Sequence, residues 1–342
     1  MRLVFFLSGE HPQLPRAEVL GALQAEGASA RVLEEFEQVL VVETEADPVK
    51  VASRLGMSHE VWMHLCTSRV EELLEAVAST DVVDLMPHGR TFAVRVERVG
   101  RSSPLVSREK LSKEVADLLR REVGFKVDLE RPEVELSIAL TGEVGVVGMK
   151  LASTARNQLM SRRPRHRRAF HPSTLHPALA RCMVNLARAP RGGTLLDPFC
   201  GVGGILIEAG LMGMRVVGVD LDPEMVEKAR MNLEGYGVRG FRLEVGDACE
   251  WKGKKVDAVA TDPPYGRQAS TWRRGVKELY RRALPVLAGA LKRGRYMCLT
   301  SPSELDLGEM AAEIGLKERE RYEQRVHRSL TRRIYVFGGL RG

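Results

Sequence analysis

From about residue 170 onward the chain alternates apolar strand and helix, and this alternation restricts the fold more than any other feature. Leu195-Leu196-Asp197 ends a strand, and a helix is expected over 203–212. A strand over Arg215–Asp220 leads to a helix over 223–234, with Asp222 as cap and Pro223 at its first position. Next come strands Phe241–Val245 and Val256–Thr261, a helix over 276–291, strand Tyr296–Thr300 and a helix over 303–314 capped by Ser303. Two last strands, around 319–327 and 332–338, read as a hairpin. Such repetition predicts a doubly wound α/β sheet of seven strands, mostly parallel, with helices on both faces.

The first half reads differently, as α+β. Residues 1–45 give strand, helix, strand, strand; the helix shows Ala17, Leu20 and Leu23 at helical spacing after Pro15. Residues 48–78 read as helical, with an apolar face around Val51, Leu55, Leu73, Leu74 and Val77. Alternation over Thr91–Val99 predicts a strand. A helix over 107–122 carries Leu111, Val115, Leu118 and Leu119, with Ser107 as its cap. Strands Glu133–Leu140 and Val144–Lys150 close this part. The stretch 151–170 holds six arginines and few apolar residues, so it reads as a linker. It is either a solvated hinge or an arginine strip laid against phosphates.

Charge separates the halves. Residues 1–150 carry 18 Lys and Arg against 25 Asp and Glu, a net −7; residues 151–342 carry 34 against 20, a net +14. So basic a half suggests a polyanionic partner, most simply nucleic acid. Within the acidic half, residues 89–131 are net +4 (11 against 7), which suits a binding face and a solvated face equally. The five cysteines are scattered without C-x-x-C spacing, which argues against a disulfide framework and against a zinc or other metal site. The apolar run Leu3–Leu7 is too short for a signal peptide, and no run of 18 apolar residues occurs, so no membrane span and a cytoplasmic location are expected.

"LLDPFCGVGGILIEAG" (195–210) follows a strand and opens a helix, where open α/β sheets bind nucleotides. The dinucleotide fingerprint fails: its third glycine, counted from Gly201, falls on Leu206. Asp197 at the strand end would repel a pyrophosphate and attract a cationic amine. S-adenosylmethionine has an ammonium and a sulfonium, and no phosphate. Asp220, ending the next strand, suits both ribose hydroxyls, and Asp247 after the third strand suits the adenine amino group. Three carboxylates at three successive strand ends therefore favour S-adenosylmethionine over NAD.

"TDPPYG" (261–266) follows the fourth strand. Pro263 and Pro264 hold the chain extended, so backbone carbonyls can face the crevice without ladder partners. An exocyclic amino group on a base is a poor nucleophile because its lone pair is delocalised into the ring. Accepting its two N–H bonds, one on Asp262 and one on the Pro263 carbonyl, localises that pair. Tyr265 offers a face for stacking, worth about 1–3 kcal/mol.

A [DNS]-P-P-[YFW] turn after the fourth strand marks methyltransferases acting on exocyclic or amide nitrogens. Together with "RRAFHPSTLHPALARCMVNLAR" (167–188) and "VVGVDLDPEMVEKARMNLEGYG" (216–237), the chain resembles the archaeal tRNA guanosine-10 N2-methyltransferases, most densely over 160–270. The resemblance implies an N-terminal ferredoxin-like segment (1–48), a THUMP domain (49–150), an Arg-rich linker (151–168) and a Rossmann-like methyltransferase domain (169–342). It also implies S-adenosylmethionine as cofactor and tRNA as partner, with a small activator subunit left open. Carried over residue by residue, Asp197, Phe199, Gly201 and Gly203 form the cofactor loop. Asp220 and Leu221 hold the ribose, and Asp247 and Ala248 the adenine. His171, Ser173 and Thr174 cover the methionine end, and Asp262, Pro263, Pro264 and Tyr265 are catalytic. His171 and His176 can equally be residues that open a helix. Candidate RNA contacts are Arg95, Arg98, Arg101, Arg162, Arg163 and Arg165, then Arg267, Trp272, Arg273 and Arg274 near the site. The target guanine is normally paired, so it must leave the stack. The rival expectations are an N2-guanosine enzyme for another tRNA position, an N6-adenine methyltransferase, and an inactive tRNA-binding module.

Overall fold

A computed structural model describes residues 1–85, 90–104, 106–123, 126–172, 174–265, 275–327 and 330–338. The backbone forms two compact units, one of residues 1–10, 28–53 and 58–154, the other of residues 11–27, 54–57 and 155–342.

The first unit is an eight-stranded sheet: β1 (Arg2–Leu7), β2 (Arg31–Phe36), β3 (Val39–Glu43), β4 (Ser58–Arg69), β5 (Thr91–Arg98), β6 (Lys126–Val127), β7 (Val134–Thr141) and β8 (Val144–Ser153), ordered β2-β3-β1-β4-β8-β7-β5-β6. Neighbours run antiparallel, except that β5 is parallel to both β6 and β7. The helix Arg108–Val123 buries Leu111, Val115 and Leu119 against Phe92, Val94 and Val96 of β5, and Ser107 caps it by accepting the Lys110 N–H at 3.2 Å. The expected helix over 48–78 is a correction. Only its ends, Pro48–Ala52 and Leu73–Ala78, are α-helical, and between them lies the twelve-residue strand β4. The apolar residues of the helical pattern all fall outside β4. Paired with β1 on one side and β8 on the other, this stretch has its backbone groups satisfied by the sheet.

The second unit has seven strands: β9 (Thr194–Asp197), β10 (Arg215–Asp220), β11 (Phe241–Val245), β12 (Val256–Thr261), β13 (Leu291–Pro302), β14 (Lys317–His327) and β15 (Leu330–Gly338). Their order is β11-β10-β9-β12-β13-β15-β14. The first five are parallel, and β15 is antiparallel to both β13 and β14. This is the doubly wound sheet with a terminal hairpin that the alternation predicts. All six residues of β12 are buried, as befits a strand covered on both faces. On one face lie Leu206 and Ile207 of the helix Gly204–Leu211; on the other, Tyr280, Leu284 and Leu287 of the helix Val276–Ala290. The strand order reverses between β9 and β12, which opens a crevice at their carboxyl ends.

The helix Leu14–Ala25 packs in this second unit against the helix Pro177–Leu186. Glu18 is fully buried there and accepts from the backbone N–H groups of Gly56 (2.9 Å) and Met57 (2.7 Å) and from Asn185 Nδ2 (3.1 Å). Burial pushes its carboxyl up to about 7. Two further expectations need correcting. The last helix is shorter, Leu307–Glu313, and Asp306 rather than Ser303 caps it, because the Ser303 N–H donates to the Thr331 carbonyl and extends the β13–β15 ladder. Residues 151–170 are not solvated throughout: β8 runs to Ser153, short helical turns follow, and Arg162 and Arg167 are buried, while Arg165 and Arg168 are exposed.

Candidate active site

Asp197 ends β9 with only 2% of its surface exposed. Its Oδ1 accepts from Thr261 Oγ1 at 2.7 Å and from the Phe199 N–H at 3.2 Å. Burial pushes this carboxyl up to about 7, and the negative charges of Asp262 and Asp220 push the same way. Next in the chain, Gly201 (φ +49°) and Gly203 (φ +83°) take left-handed conformations that a side chain would oppose. A methyl group on Gly203 would also stand 3.3 Å from Ala229 Cβ. The loop therefore doubles back, and the Gly201 N–H donates to Asp220 Oδ2 at 2.8 Å. Asp220 Oδ1 accepts from the Asp222 N–H at 3.1 Å, and burial raises its carboxyl too. Beside it Leu221 is exposed. Asp247 caps the turn after β11 through the Cys249 N–H (2.9 Å) and stands 3.6 Å from Arg282 Nη2; Ala248 beneath is buried.

A cleft at the ends of β9 and β12 gathers His171, Thr174, Asp197, Phe199, Gly201 and Asp262. The structure thus brings together Asp197, Phe199 and Gly201 of the loop, His171 and Thr174 of the methionine cover, and Asp262 of the catalytic group. Thr174 Oγ1 donates to the His171 carbonyl at 2.7 Å, which shapes the cover, while His176 Nδ1 accepts the Ala178 N–H and opens the helix Pro177–Leu186. Ser173 lies outside the described residues, as do Gly266, Arg267, Trp272, Arg273 and Arg274.

Asp262 follows β12 directly. Its Oδ1 accepts from the hydroxyls of Tyr265 and Thr300, and its Oδ2 is 3.5 Å from Arg332 Nη1. The Arg332 guanidinium also sits 5.7 Å from the centre of the Tyr265 ring. Pro263 is buried, and Pro264 and Tyr265 are half-buried. Burial and the adjacent Asp262 charge hold the Tyr265 hydroxyl well above its ordinary range, so it stays protonated and donates. Thr261, Thr300 and Arg332 were not evident from the sequence. Thr261 could have been suspected from its place beside the motif; Thr300 and Arg332 arrive from β13 and β15 by tertiary packing alone.

Of the candidate RNA contacts, Arg95, Arg101 and Arg165 are exposed, and Arg98 and Arg163 are half-buried. Arg95 and Arg98 donate to the carbonyls of Leu129 and Val106. Arg162 is a correction. It is 6% exposed and forks onto Glu208, Nε to Oε1 at 2.8 Å and Nη2 to Oε2 at 3.0 Å, so its guanidinium is not presented to a phosphate. The buried Glu208, on the helix after the glycine loop, draws it inward.

The donor set fits S-adenosylmethionine: a buried carboxylate for a cation, glycines that leave room for close approach, and acids rather than phosphate-binding groups at successive strand ends. Fold and site together define an S-adenosylmethionine-dependent methyltransferase. The domain family described as "RMKL-like, methyltransferase domain" matches residues 164–334, and the THUMP domain matches residues 67–149. The chain is 38% identical over 338 residues to a tRNA (guanine(10)-N2)-dimethyltransferase of Methanothermobacter thermautotrophicus, covering 98% of this chain and 99% of that one. It is 35% identical over 330 residues to the protein of the same name from Pyrococcus abyssi, covering 95% and 96%. The solved structure of TrmN from Thermus thermophilus superposes with a TM-score of 0.53 at 22% identity, covering 99% of this chain and 100% of that one. The chain belongs to the family of THUMP-containing tRNA guanine-N2 methyltransferases. Among the described residues no helix is long and apolar enough to cross a membrane.

Proposed function

We propose that this protein methylates the exocyclic N2 of guanosine 10 in the D-arm of tRNA, once or twice, in the cytoplasm. The observation that carries the reading is the state of Asp262. Two hydroxyls fix its Oδ1, while the nearest described donor to Oδ2 is Arg332 at 3.5 Å, which leaves Oδ2 room to accept from an incoming amino group. Asp262 shares its cleft with Asp197 and the glycine loop. The nucleophile and the methyl donor therefore meet over one crevice.

Bound S-adenosylmethionine supplies an electrophilic methyl group on sulfur. The chain's own residues do the rest. Asp197 would hold the cofactor's ammonium end, Asp220 and Leu221 its ribose, and Asp247 and Ala248 its adenine. Asp262 and the Pro263 carbonyl accept the two N–H bonds of the base and turn its lone pair toward the methyl carbon. The nitrogen then sheds one proton, with Asp262 the nearest carboxylate to receive it. Tyr265 stacks on the base and, through its hydroxyl, keeps Asp262 oriented. Holding the two partners in line can supply several kcal/mol of the barrier reduction. The THUMP-bearing unit supplies tRNA recognition, with Arg95, Arg98 and Arg101 as its candidate contacts and Arg163 and Arg165 nearer the catalytic residues in the chain.

Unmodified tRNA transcript, labelled S-adenosylmethionine and purified protein, followed by nuclease digestion and nucleoside mass spectrometry, test the reading. N2-methylguanosine or N2,N2-dimethylguanosine at position 10 is expected, and their ratio gives the number of methyl groups. Methyladenosine, or methylguanosine at another position, refutes the assignment. Turnover by the purified chain alone also decides whether an activator subunit is needed.

A further inference from the structure

The last strand, β15, carries two adjacent arginines near its start, and a strand sends neighbours to opposite faces. Arg333 pairs with Glu323 at 2.8 Å. Arg332 falls on the face of Ile334 and Val336 and is buried with them. Among the described residues its Nε and Nη1 make no hydrogen bond, and the carboxylate beside it is Asp262, with Nη1 3.5 Å from Oδ2. Burying a guanidinium costs desolvation, and a long ion pair without hydrogen bonds offsets little of that cost. The pair is a weak device for stability. Its effect falls on Asp262.

Asp262 lies among other acids. Asp197 shares its cleft, and Asp220 ends the strand β10. The other titratable groups around it are Tyr265 on its own turn, Tyr280 of the helix Val276–Ala290, and His171 of the cover. Among the described residues Arg332 is the only arginine or lysine within 4 Å of Asp197, Asp220 or Asp262. Asp197 shows what this setting does to an acid with no such neighbour: burial, aided by the charges of Asp262 and Asp220, pushes its carboxyl up to about 7.

The hydrogen bonds of Asp262 say where a proton would go. Oδ1 accepts from the hydroxyls of Tyr265 and Thr300, which engages both its lone pairs. A proton gained by this carboxyl would therefore sit on Oδ2. It would turn that oxygen from an acceptor into an O–H donor. Aimed at an amino nitrogen, such a donor would occupy the lone pair that methyl transfer needs.

We propose that Arg332 is a positioning residue for methyl transfer: its guanidinium keeps Oδ2 of Asp262 free of a proton, and so an acceptor for the N–H of the target base. This rests on Asp262 being that acceptor. The same charge drives to solvent the proton that Asp262 takes up in one turnover, before the next begins.

The test is kcat of the full-length protein between pH 5 and pH 9, with unmodified tRNA transcript and S-adenosylmethionine both saturating, so that pH effects on cofactor binding drop out. Arg332→Gln should move the acid limb of the profile up by about 1–2 units, the effect of losing one opposite charge within a few ångströms. Its deficit against the wild type should reach about 10- to 100-fold in acid and close at alkaline pH. Its S-adenosylmethionine affinity at pH 8 should stay within about threefold of wild type, the mark of an intact cleft. Arg332→Lys keeps the charge and should hold the wild-type limb to within about half a unit. A glutamine deficit of equal size at every pH overturns the proposal, since that is what disturbed packing gives. So does the absence of any deficit, a loss of cofactor affinity as large as the loss of rate, or a lysine variant whose limb moves by about one unit or more. The lysine variant decides alone where the glutamine variant is too unstable to assay. Asp262→Ala tests the underlying reading separately: it should give no transfer at any pH, and an active Asp262→Ala refutes the acceptor role of Asp262 whatever Arg332 does.

Discussion

Asp197→Asn should make the ligand-free protein more stable and the cofactor complex weaker. The carboxyl sits at about 7 in the folded chain against an ordinary 3.8. A raised folded value means that the folded state holds its proton more tightly than the unfolded state does. This contribution to stability is therefore largest in acid and declines as pH rises from about 4 to about 7, after which the decline is complete. The interval corresponds to at most about 4 kcal/mol, at 1.36 kcal/mol per pH unit. Asparagine keeps an Oδ1 that can accept from Thr261 and Phe199, and it carries no charge. At pH 8 the variant should exceed the wild type by about 1–3 kcal/mol, the typical relief of a buried unpaired charge after relaxation. Near pH 4 the two should coincide.

Denaturant melts of the ligand-free protein at pH 4.5 and pH 8, paired with S-adenosylmethionine titrations, read both halves of this prediction. Glu18, also pushed up to about 7, imposes the same pH trend on wild type and variant, so their difference isolates Asp197. Wild-type affinity should rise by up to about tenfold per unit as pH climbs toward 7, because the ionised carboxylate is the form that meets the ammonium. The variant should bind about 100-fold more weakly at pH 8 and show no such slope. A variant less stable than wild type at pH 8, or one that keeps the affinity slope, refutes the argument that this carboxylate is held at a cost to the fold for the sake of a cation.

Asp262→Ala should abolish methyl transfer while S-adenosylmethionine affinity, measured calorimetrically, stays within about twofold; an equal loss of both would remove Asp262 from its role. Thr300→Val deletes one O–H donor to Asp262 and should lower kcat about 10- to 100-fold at unchanged cofactor affinity, as expected for about 1–3 kcal/mol of lost orientation. Glu208→Gln leaves the buried guanidinium groups of Arg162 and Arg181 without their shared carboxylate and should cost about 3–5 kcal/mol in thermal or denaturant melts. A fragment of residues 155–342 lacks Leu14, Ala17 and Met57 from the core around Met183 and Leu186, and lacks Glu18 as partner to Asn185. It should melt well below the full chain, and a fragment with an unchanged cooperative melt would show that the helix Leu14–Ala25 is dispensable.

What was legible in the sequence follows the range of the forces that set it. The parallel sheet was visible because its strands are apolar runs and its helices carry local signals, such as Asp222 with Pro223. The site was visible for a related reason: a crevice at strand ends is built from residues that directly follow those runs, so Asp197, Asp220 and Asp262 are found by counting along the chain. Two kinds of residue escaped. The strand β4 carries no strict two-residue alternation, since most of its residues are half-buried between β1 and β8, and only those partners reveal it. The arginines of 151–170 were read by composition, which cannot separate Arg165, exposed, from Arg162 and Arg167, buried. Glu208, set about 40 residues further on within an apolar helix, makes that separation. An ionisable residue amid an apolar face demands a buried counter-charge, and the nearest supply was the arginine-rich stretch. Read as a demand rather than as a flaw in the pattern, Glu208 would have drawn Arg162 out of the solvated strip and set it, with Arg181, in the buried core of the second unit.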